Sequence, residues 1–375
     1  MLKTQIFLPG KRPFLFMLLC FWAVSLACRI EQALPPFAAQ ESSEKTEGET
    51  AVSSTKQPQQ TPPDTLPTGS SRANPYSPGT SVTLNDWEVE VLDIQRGDSA
   101  WQEIHLANSN NKQAPPGWEY LLLNIRLKNN SASEENQYFS IHATGNGRVL
   151  HYSFNHSVVT PAPELAYRLV GGEESSGWHS LLIKQGEGNL MLYLKDGENY
   201  ETPPVYLALE EGAAITVDRE TLLNIPPSEL GLSPQQPIPF GQTATGEDWQ
   251  VIVLDVVRGD AAYQTLLKVN QFNDPPAEGM EYILVKLRVR YIGLQETEQY
   301  ISDMDFSIYA ANGAEYDSPS TVDPDPNLSY QLYAGGEADG WIVLQAPVEA
   351  KNITLRFSPD NSGANERYMS LGQGR

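Results

Sequence analysis

The sequence predicts an all-β protein, two tandem antiparallel β-sandwiches behind a disordered tether, and three observations predict it. First, residues 86–104 (DWEVEVLDIQRGDSAWQEI) and 248–266 (DWQVIVLDVVRGDAAYQTL) are identical at 11 of 19 positions at a constant offset of 162, where ordinary residue frequencies would give about one. A solenoid repeat runs about 20–50 residues, so a period this long marks a duplicated domain. Second, apolar residues alternate with polar ones at period two in both copies, the pattern of a strand with one buried face. Third, glycine and asparagine turn signals recur between these runs while helical signals are scarce.

From the N-terminus, Lys3, Lys11 and Arg12 precede an uncharged apolar stretch of 15 residues, 13–27 (PFLFMLLCFWAVSLA). A bilayer span needs about 20 such residues, so this length suits the h-region of a signal peptide. The stretch ends on Ser25-Leu26-Ala27-Cys28, which resembles a bacterial lipobox. Ala27 before Cys28 fits that pattern, whereas Leu26 stands one place later than the usual leucine. The expectation is a lipoprotein signal peptide over 1–27 and lipid on Cys28. Cys20 would leave with the leader, so no intrachain disulfide could form and the sandwiches would rest on burial alone. Domains of about 140 residues bury roughly 68–70% of their unfolded surface, which is enough.

Residues 39–80 are dominated by Ser, Thr, Pro, Gln and Glu and nearly lack large aliphatics. Such a segment cannot offset its chain entropy by burial, so 28–80 reads as a disordered tether. About 40 flexible residues reach roughly 30–40 Å, which would lift the folded part off a membrane.

The first sandwich is placed at 81–217 and the second at 240–371. Trp87, Val89 and Val91 mark an opening strand, matched by Trp249, Val251 and Val253. Leu121, Leu123, Ile125 and Leu127 mark the next, matched by Ile283, Val285, Leu287 and Val289. Phe139, Ile141 and Ala143 mark a third, with Met304, Phe306 and Ile308 as counterpart. Asn146-Gly147 and Asn312-Gly313 are hairpin signals. Gly171-Gly172-Glu173 leads to Gly177-Trp178, as Gly335-Gly336-Glu337 leads to Gly340-Trp341. About seven short strands per copy suit a sandwich. Residues 218–239 are a stiff Pro-rich linker, with one helical turn expected near Ser228, Glu229 and Leu230.

The repeated unit resembles an uncharacterised immunoglobulin-like domain family of secreted bacterial proteins and lipoproteins, related to the secreted immunoprotective antigen of mycobacteria. The opening strand, the Gly117-Trp118-Glu119-Tyr120 and Gly279-Met280-Glu281-Tyr282 starts, and the Gly-Gly-Glu…Gly-Trp turn carry the resemblance. It implies immunoglobulin-like β-sandwiches and an envelope location. It brings no activity and no functional residues.

The formal charge of −22 excludes nucleic acid and anionic headgroups as partners, because nothing neutralises phosphates. All five histidines (His105, His142, His151, His156, His179) lie in the first copy, at spacings that match no metal motif. HExxH, GxSxG and P-loop patterns are missing from the sequence. The chain therefore reads as a non-enzyme without a cofactor. Arg96-Gly97-Asp98 and Arg258-Gly259-Asp260 read as structural turns, since glycine supplies the backbone a turn requires. Asp303, Asp305, Asp323 and Asp325 offer clustered oxygens to calcium, but lack the glycine and distal glutamate of an EF-hand loop. Trp87, Trp249, Trp178 and Trp341 are assigned to the cores. Trp101, Trp118 and Tyr263 are the candidate binding surface, because aromatics stack on sugar rings or partner side chains.

The functional expectation is a cell-envelope lipoprotein, held outside the cytoplasm by lipid on Cys28. Its sandwiches would serve as a non-enzymatic binding or scaffolding module for an unknown envelope protein or glycan. The alternative is an extracytoplasmic polysaccharide- or solute-binding protein that uses the exposed aromatics. An exposed row of Trp101, Trp118 and Tyr263 would favour the alternative. A deep pocket lined by His142, His151 or His156 with converging acids would point to a hydrolase in the first copy.

Overall fold

The computed structural model describes residues 66–152, 158–199, 201–310, 312–316, 318–360 and 363–372. The leader, Cys28 and the tether up to residue 65 lie outside the described residues. The first half contains β1 (Val82–Leu84), β2 (Trp87–Arg96), α1 (Asp98–Ala107), β3 (Trp118–Asn129), β4 (Gln137–Thr144), β5 (Arg168–Leu169), β6 (Glu174–Lys184), β7 (Met191–Asp196) and β8 (Val205–Ala208). These strands form two antiparallel sheets, ordered β1-β2-β3-β6 and β5-β4-β7-β8. Leu121, Leu123, Ile125 and Leu127 of β3 pack on Phe139, Ile141, Leu192 and Leu194 of the facing sheet. Each such side chain, fully buried, contributes about 1.5–3 kcal/mol. Trp87 fills the same core, its ring 5.1 Å from that of Phe139.

The second half contains α2 (Arg219–Leu223), β9 (Thr243–Thr245), β10 (Trp249–Arg258), α3 (Gly259–Val269), β11 (Met280–Tyr291), β12 (Gln299–Ser302), β13 (Phe306–Tyr309), β14 (Glu315–Tyr316), β15 (Ser329–Leu332), β16 (Glu337–Pro347), β17 (Thr354–Phe357) and β18 (Arg367–Ser370). Its sheets run β9-β10-β11-β16 and β14-β13-β17-β18, with β12-β15 as a separate pair. Ile283, Val285, Leu287 and Val289 meet Phe306, Ile308, Leu355 and Phe357 across the core. The all-β sandwich expectation therefore holds in both halves.

The shared VLD segment encodes a bulge. The β2–β3 register slips between Val91 and Asp93, and the β10–β11 register slips between Val253 and Asp255. Asp93 Oδ1 accepts the Ile94 N–H and Asp255 Oδ1 accepts the Val256 N–H, each at 2.9 Å. Pairing of β1 with β2 stops at Val89 and pairing of β9 with β10 stops at Ile252. A bulge with its own carboxylate cap blunts the strand edge at the point where it loses its neighbour.

Several expectations need correction. Residues 66–80, assigned to the tether, are part of the folded body. The Tyr76 N–H donates to Tyr206 O at 2.8 Å and its carbonyl accepts from Ala208 N–H at 2.9 Å. The edge of β8 offers unpaired backbone groups, and this polar segment satisfies them. The linker 218–239 also packs down. Its helical turn is α2, capped by Asp218, which accepts the Thr221 N–H at 3.0 Å, and Ser228 pairs instead with Thr245. Leu222 and Ile238 enter the second core. Met304 is not a strand residue. A short 3-10 turn at Asp303–Asp305 interrupts the strand and leaves Met304 exposed, while Ile301, Phe306 and Ile308 point inward.

Trp178 and Trp341 are half-buried on the helix side rather than in the sandwich interior. The spacing that the two halves share around them has another cause. Pro163 O accepts the Trp178 N–H and Pro326 O accepts the Trp341 N–H, each at 2.8 Å. A crossing segment thus lies directly over Gly177 and Gly340. A Cβ on Gly177 would lie 2.6 Å from the Pro163 oxygen, and one on Gly340 would lie 2.7 Å from Leu328 Cα.

The halves are fastened to each other. Val149 forms a bridge with Leu332 and is buried in the second core. Leu150 N–H donates to Gln331 O and Tyr333 N–H donates to Arg148 O, both at 2.9 Å. The hairpin after β4 thereby adds a strand-like segment to the second half.

Candidate functional site

The repeated DW…RGD segment ends at a corner where a strand turns into a helix. Gly97 and Gly259 have φ of 61° and 63°, a region that glycine enters without strain. In α1, Ala100 and Ile104 lie four apart and are buried against Tyr120 and Leu122. Ala262 and Leu266 of α3 do the same against Tyr282 and Leu284. The helices therefore cover part of the outer sheet faces, which period-two reading treats as wet. Arg96 is ion-paired with Glu119, and Arg258 with Glu281. The RGD tripeptides thus build corners, with their guanidiniums turned onto carboxylates of the next strand.

In the first half this corner opens a cleft of about 270 Å³, lined by Asp98, Trp101, Gln113, Trp118, Glu119 and Gln185 among others. α1 positions Asp98 and Trp101, and the start of β3 positions Trp118 and Glu119. Trp101 stacks on Tyr120 at 6.0 Å, and the Tyr120 hydroxyl donates to Lys112 O at 2.9 Å. That bond secures the loop which carries Gln113. Glu119 is held by Arg96 and by the Gly186 N–H at 2.9 Å. Lys184 Nζ lies 3.9 Å from the Trp118 ring centroid, and burial holds its pKa below the usual value. The His151 ring meets Trp118 edge-on at 6.0 Å.

Behind Trp118 sits a buried pair, His151 Nε2 to Glu187 Oε2 at 2.8 Å. Burial pushes the Glu187 carboxyl up, but the His151 hydrogen bond and charge, with the Gly147 amide, outweigh it and hold the group low. Glu187 O also accepts from Arg96 at 3.0 Å, which ties this pair to the cleft corner.

Of the predicted aromatics, Trp101 and Trp118 come together. Tyr263 lies on α3 of the other half, 6.1 Å from Tyr282, so the three do not form one row. The second-half positions that match Gln113, Trp118 and Gln185 are Pro275, Met280 and Val348. Among the described residues no histidine lines the cleft. His142 is packed between Tyr152 and Tyr193, and burial lowers it to about 4. His179 is hydrogen-bonded to the Tyr167 hydroxyl at 2.6 Å, and His105 flanks Trp101 at 5.1 Å. His156 lies outside the described residues.

The acidic candidates do not assemble a calcium site. Asp305 turns back to accept the Ser302 N–H at 2.7 Å, and Asp323 accepts from the Thr321 hydroxyl at 2.8 Å. Burial raises Asp305 to about 6, with Asp303 and Asp360 adding to it, and burial also raises Asp323. Among the described residues, no group of three or more His, Cys, Asp or Glu side chains is placed to hold a metal, Asp303 and Asp325 included.

Sequence reasoning missed Gln113, Gln185 and Asp98 as lining residues. Asp98 and Gln113 stand three and five residues before Trp101 and Trp118, whereas Gln185 follows β6 and reaches the cleft only through the pairing of Trp118 with Lys184. It also missed Asn111 and Asn273, which lock each helix to a later segment.

A family model described as a domain of unknown function (DUF4352) matches residues 238–367, within the second half. No curated protein matches the chain. Among solved structures, the chain is similar to the ycdA protein of Bacillus subtilis, described as a candidate lipoprotein, at 14% identity and a TM-score of 0.27. That match covers 34% of this chain and 37% of the other, so the chain spans just over a third of that protein's length. The yjhA protein of Bacillus subtilis matches at 14% identity and a TM-score of 0.26, over 36% of this chain and 98% of its own. An uncharacterized β-sandwich protein of Clostridium difficile 630 matches at 13% identity and a TM-score of 0.23, over 39% and 98%.

Proposed function

We propose that this protein is a cell-envelope lipoprotein whose tandem sandwiches form a non-enzymatic binding module, and that the first-half cleft is its contact site for a sugar unit of an envelope polysaccharide. One observation carries the reading: Trp101 and Trp118 meet in a single cleft whose other walls include the amides Gln113 and Gln185. Indole faces take the C–H face of a pyranose, and planar amides take its hydroxyls. The basic leader and Cys28 support the location, and the constant offset of 162 supports duplication as the origin of the two halves. The matching positions in the second half lack both indoles and both amides, so binding belongs to the first half alone.

The binding reading is tested by isothermal titration of the full chain with envelope polysaccharide fragments. Trp101→Ala should abolish the heat of binding, while Tyr263→Ala should leave it intact. Equal loss in both variants, or none in either, would overturn the cleft as the site. The anchoring reading is tested by Cys28→Ser, which should move the protein from the membrane to the soluble fraction. Retention in the membrane at the wild-type level would overturn it.

A further inference from the structure

We propose that the sugar unit taken by this cleft is cationic, an amino sugar with a free ammonium group rather than a neutral or acidic hexose. This rests on the cleft being the binding site, as argued above. The residues that line it include two carboxylates, Asp98 and Glu119, and no lysine or arginine. Glu119 is already engaged by Arg96 and by Gly186. Asp98, in the first turn of α1, is exposed and has no hydrogen-bond or ion-pair partner for its carboxylate among the described residues. It is the charge in the cleft left for a ligand to neutralise.

An ammonium group suits this arrangement from two sides. The negative faces of the indoles attract a cation, and a carboxylate gives it a charge-assisted hydrogen bond. A neutral hexose would use the indoles and amides but leave Asp98 without a role. A uronic acid would meet Asp98 and Glu119 with the same sign of charge. The chain charge of −22 adds a field that concentrates cations and repels anions near the surface. Lys184 is held over Trp118 and feels the carboxylates of Asp339 and Glu187, so it does not serve as counter-ion to Asp98. In the second half Asp260 and Glu281 keep the two acids, yet Tyr263 and Met280 replace the indoles. The two acids are thus common to both corners, together with Gly97/Gly259 and Tyr120/Tyr282, and the indole pair makes the first one a cation-accepting cleft.

The test is calorimetric titration of the full chain with a glucosamine tetramer, its N-acetylated counterpart and a uronic-acid oligomer, at mildly acidic pH. The glucosamine tetramer should bind about tenfold tighter than the acetylated one, a difference worth about 1.4 kcal/mol. That preference should shrink at high salt, as an exposed charge pair requires. Asp98→Asn should remove the preference, and the matched control Asp260→Asn should retain it. Equal affinity for the two tetramers, or an unchanged preference in Asp98→Asn, overturns the cationic assignment and leaves the cleft reading standing. Binding of none of the oligomers overturns the cleft reading itself.

Discussion

The guanidinium of Arg72 lies 3.7 Å from the ring centroid of Tyr333, so the start of the first half is clamped onto the second. Tyr333 is fully buried, and its hydroxyl shares a 3.3 Å hydrogen bond with that of Tyr206. Nearby, the Tyr193 hydroxyl donates to Glu298 at 3.0 Å. Aromatic packing of this kind, with the Val149 bridge beside it, makes the interface resemble a domain interior rather than a flexible joint. The two sandwiches should therefore unfold together. Tyr333→Ala should cost about 3–5 kcal/mol, the usual range for a large buried aromatic. In scanning calorimetry the wild type should give one transition and this variant two. A single transition in both would count against the coupling.

Asn111 and Asn273 carry a second shared device. The Asn111 side chain donates to Ile104 O at 2.7 Å and Val159 O at 2.8 Å, and accepts the Val159 N–H at 2.8 Å. Asn273 makes the same set with Leu266 O, Val322 O and the Val322 N–H, at 3.1, 3.0 and 2.8 Å. Each closes a helix C-terminus and pins a distant loop. Either Asn→Ala change strands these backbone groups and should cost about 1–3 kcal/mol in urea denaturation. Asn→Asp, which keeps the acceptor but not the donors, should be nearly as costly. A midpoint unchanged by Asn111→Ala would remove the lock from the account.

His142 sets an acid limit. Burial keeps it neutral in the folded state, with a pKa near 4 against 6.5 for an unperturbed histidine. The unfolded chain takes up that proton first, so stability is complete above pH 6.5 and declines as pH falls toward 4. The total loss is about 3 kcal/mol. His142→Gln should flatten the urea midpoint between pH 6.5 and 4. A slope identical to wild type would show that another group is responsible.

Asp305 works in the opposite direction. Its carboxyl is raised from 3.8 to about 6, chiefly by burial. The folded state then holds a proton that the unfolded chain releases, so stability falls as pH rises from 3.8 to 6 and stays reduced above. Asp305→Asn retains an oxygen for the Ser302 N–H and should stabilise the protein by about 1 kcal/mol at neutral pH, after allowing for the group's partial exposure. The gain should vanish near pH 4. Thermal melts at the two pH values decide it, and destabilisation at neutral pH would contradict the assignment.

The strands were legible because period two survives in the residues themselves. Leu121, Leu123, Ile125 and Leu127 alternate and are all buried, as are Trp87 and Trp249 at the opening strands. The helices were not legible. α1 spans ten residues, and its two buried positions, Ala100 and Ile104, are too few to show a helical period. Tether composition likewise masked residues 66–80, where Tyr76 and Arg72 anchor an otherwise polar segment. Of the candidate site, Trp101 and Trp118 were legible as candidate binding aromatics, grouped with Tyr263, while Asp98 read only as part of a turn tripeptide.

The repeated sequence alone determined where the long strands run, which of their residues face the core and where the corner glycines stand, because these follow from local periodicity and backbone sterics. It also separated what the halves share from what they do not. Only the tertiary structure decided that Trp101 meets Trp118 in one cleft, that Tyr263 is excluded from it, and that Val149 and Tyr333 fuse the halves. These contacts join residues from different elements or different halves of the chain, and no local pattern records which of them will be brought together.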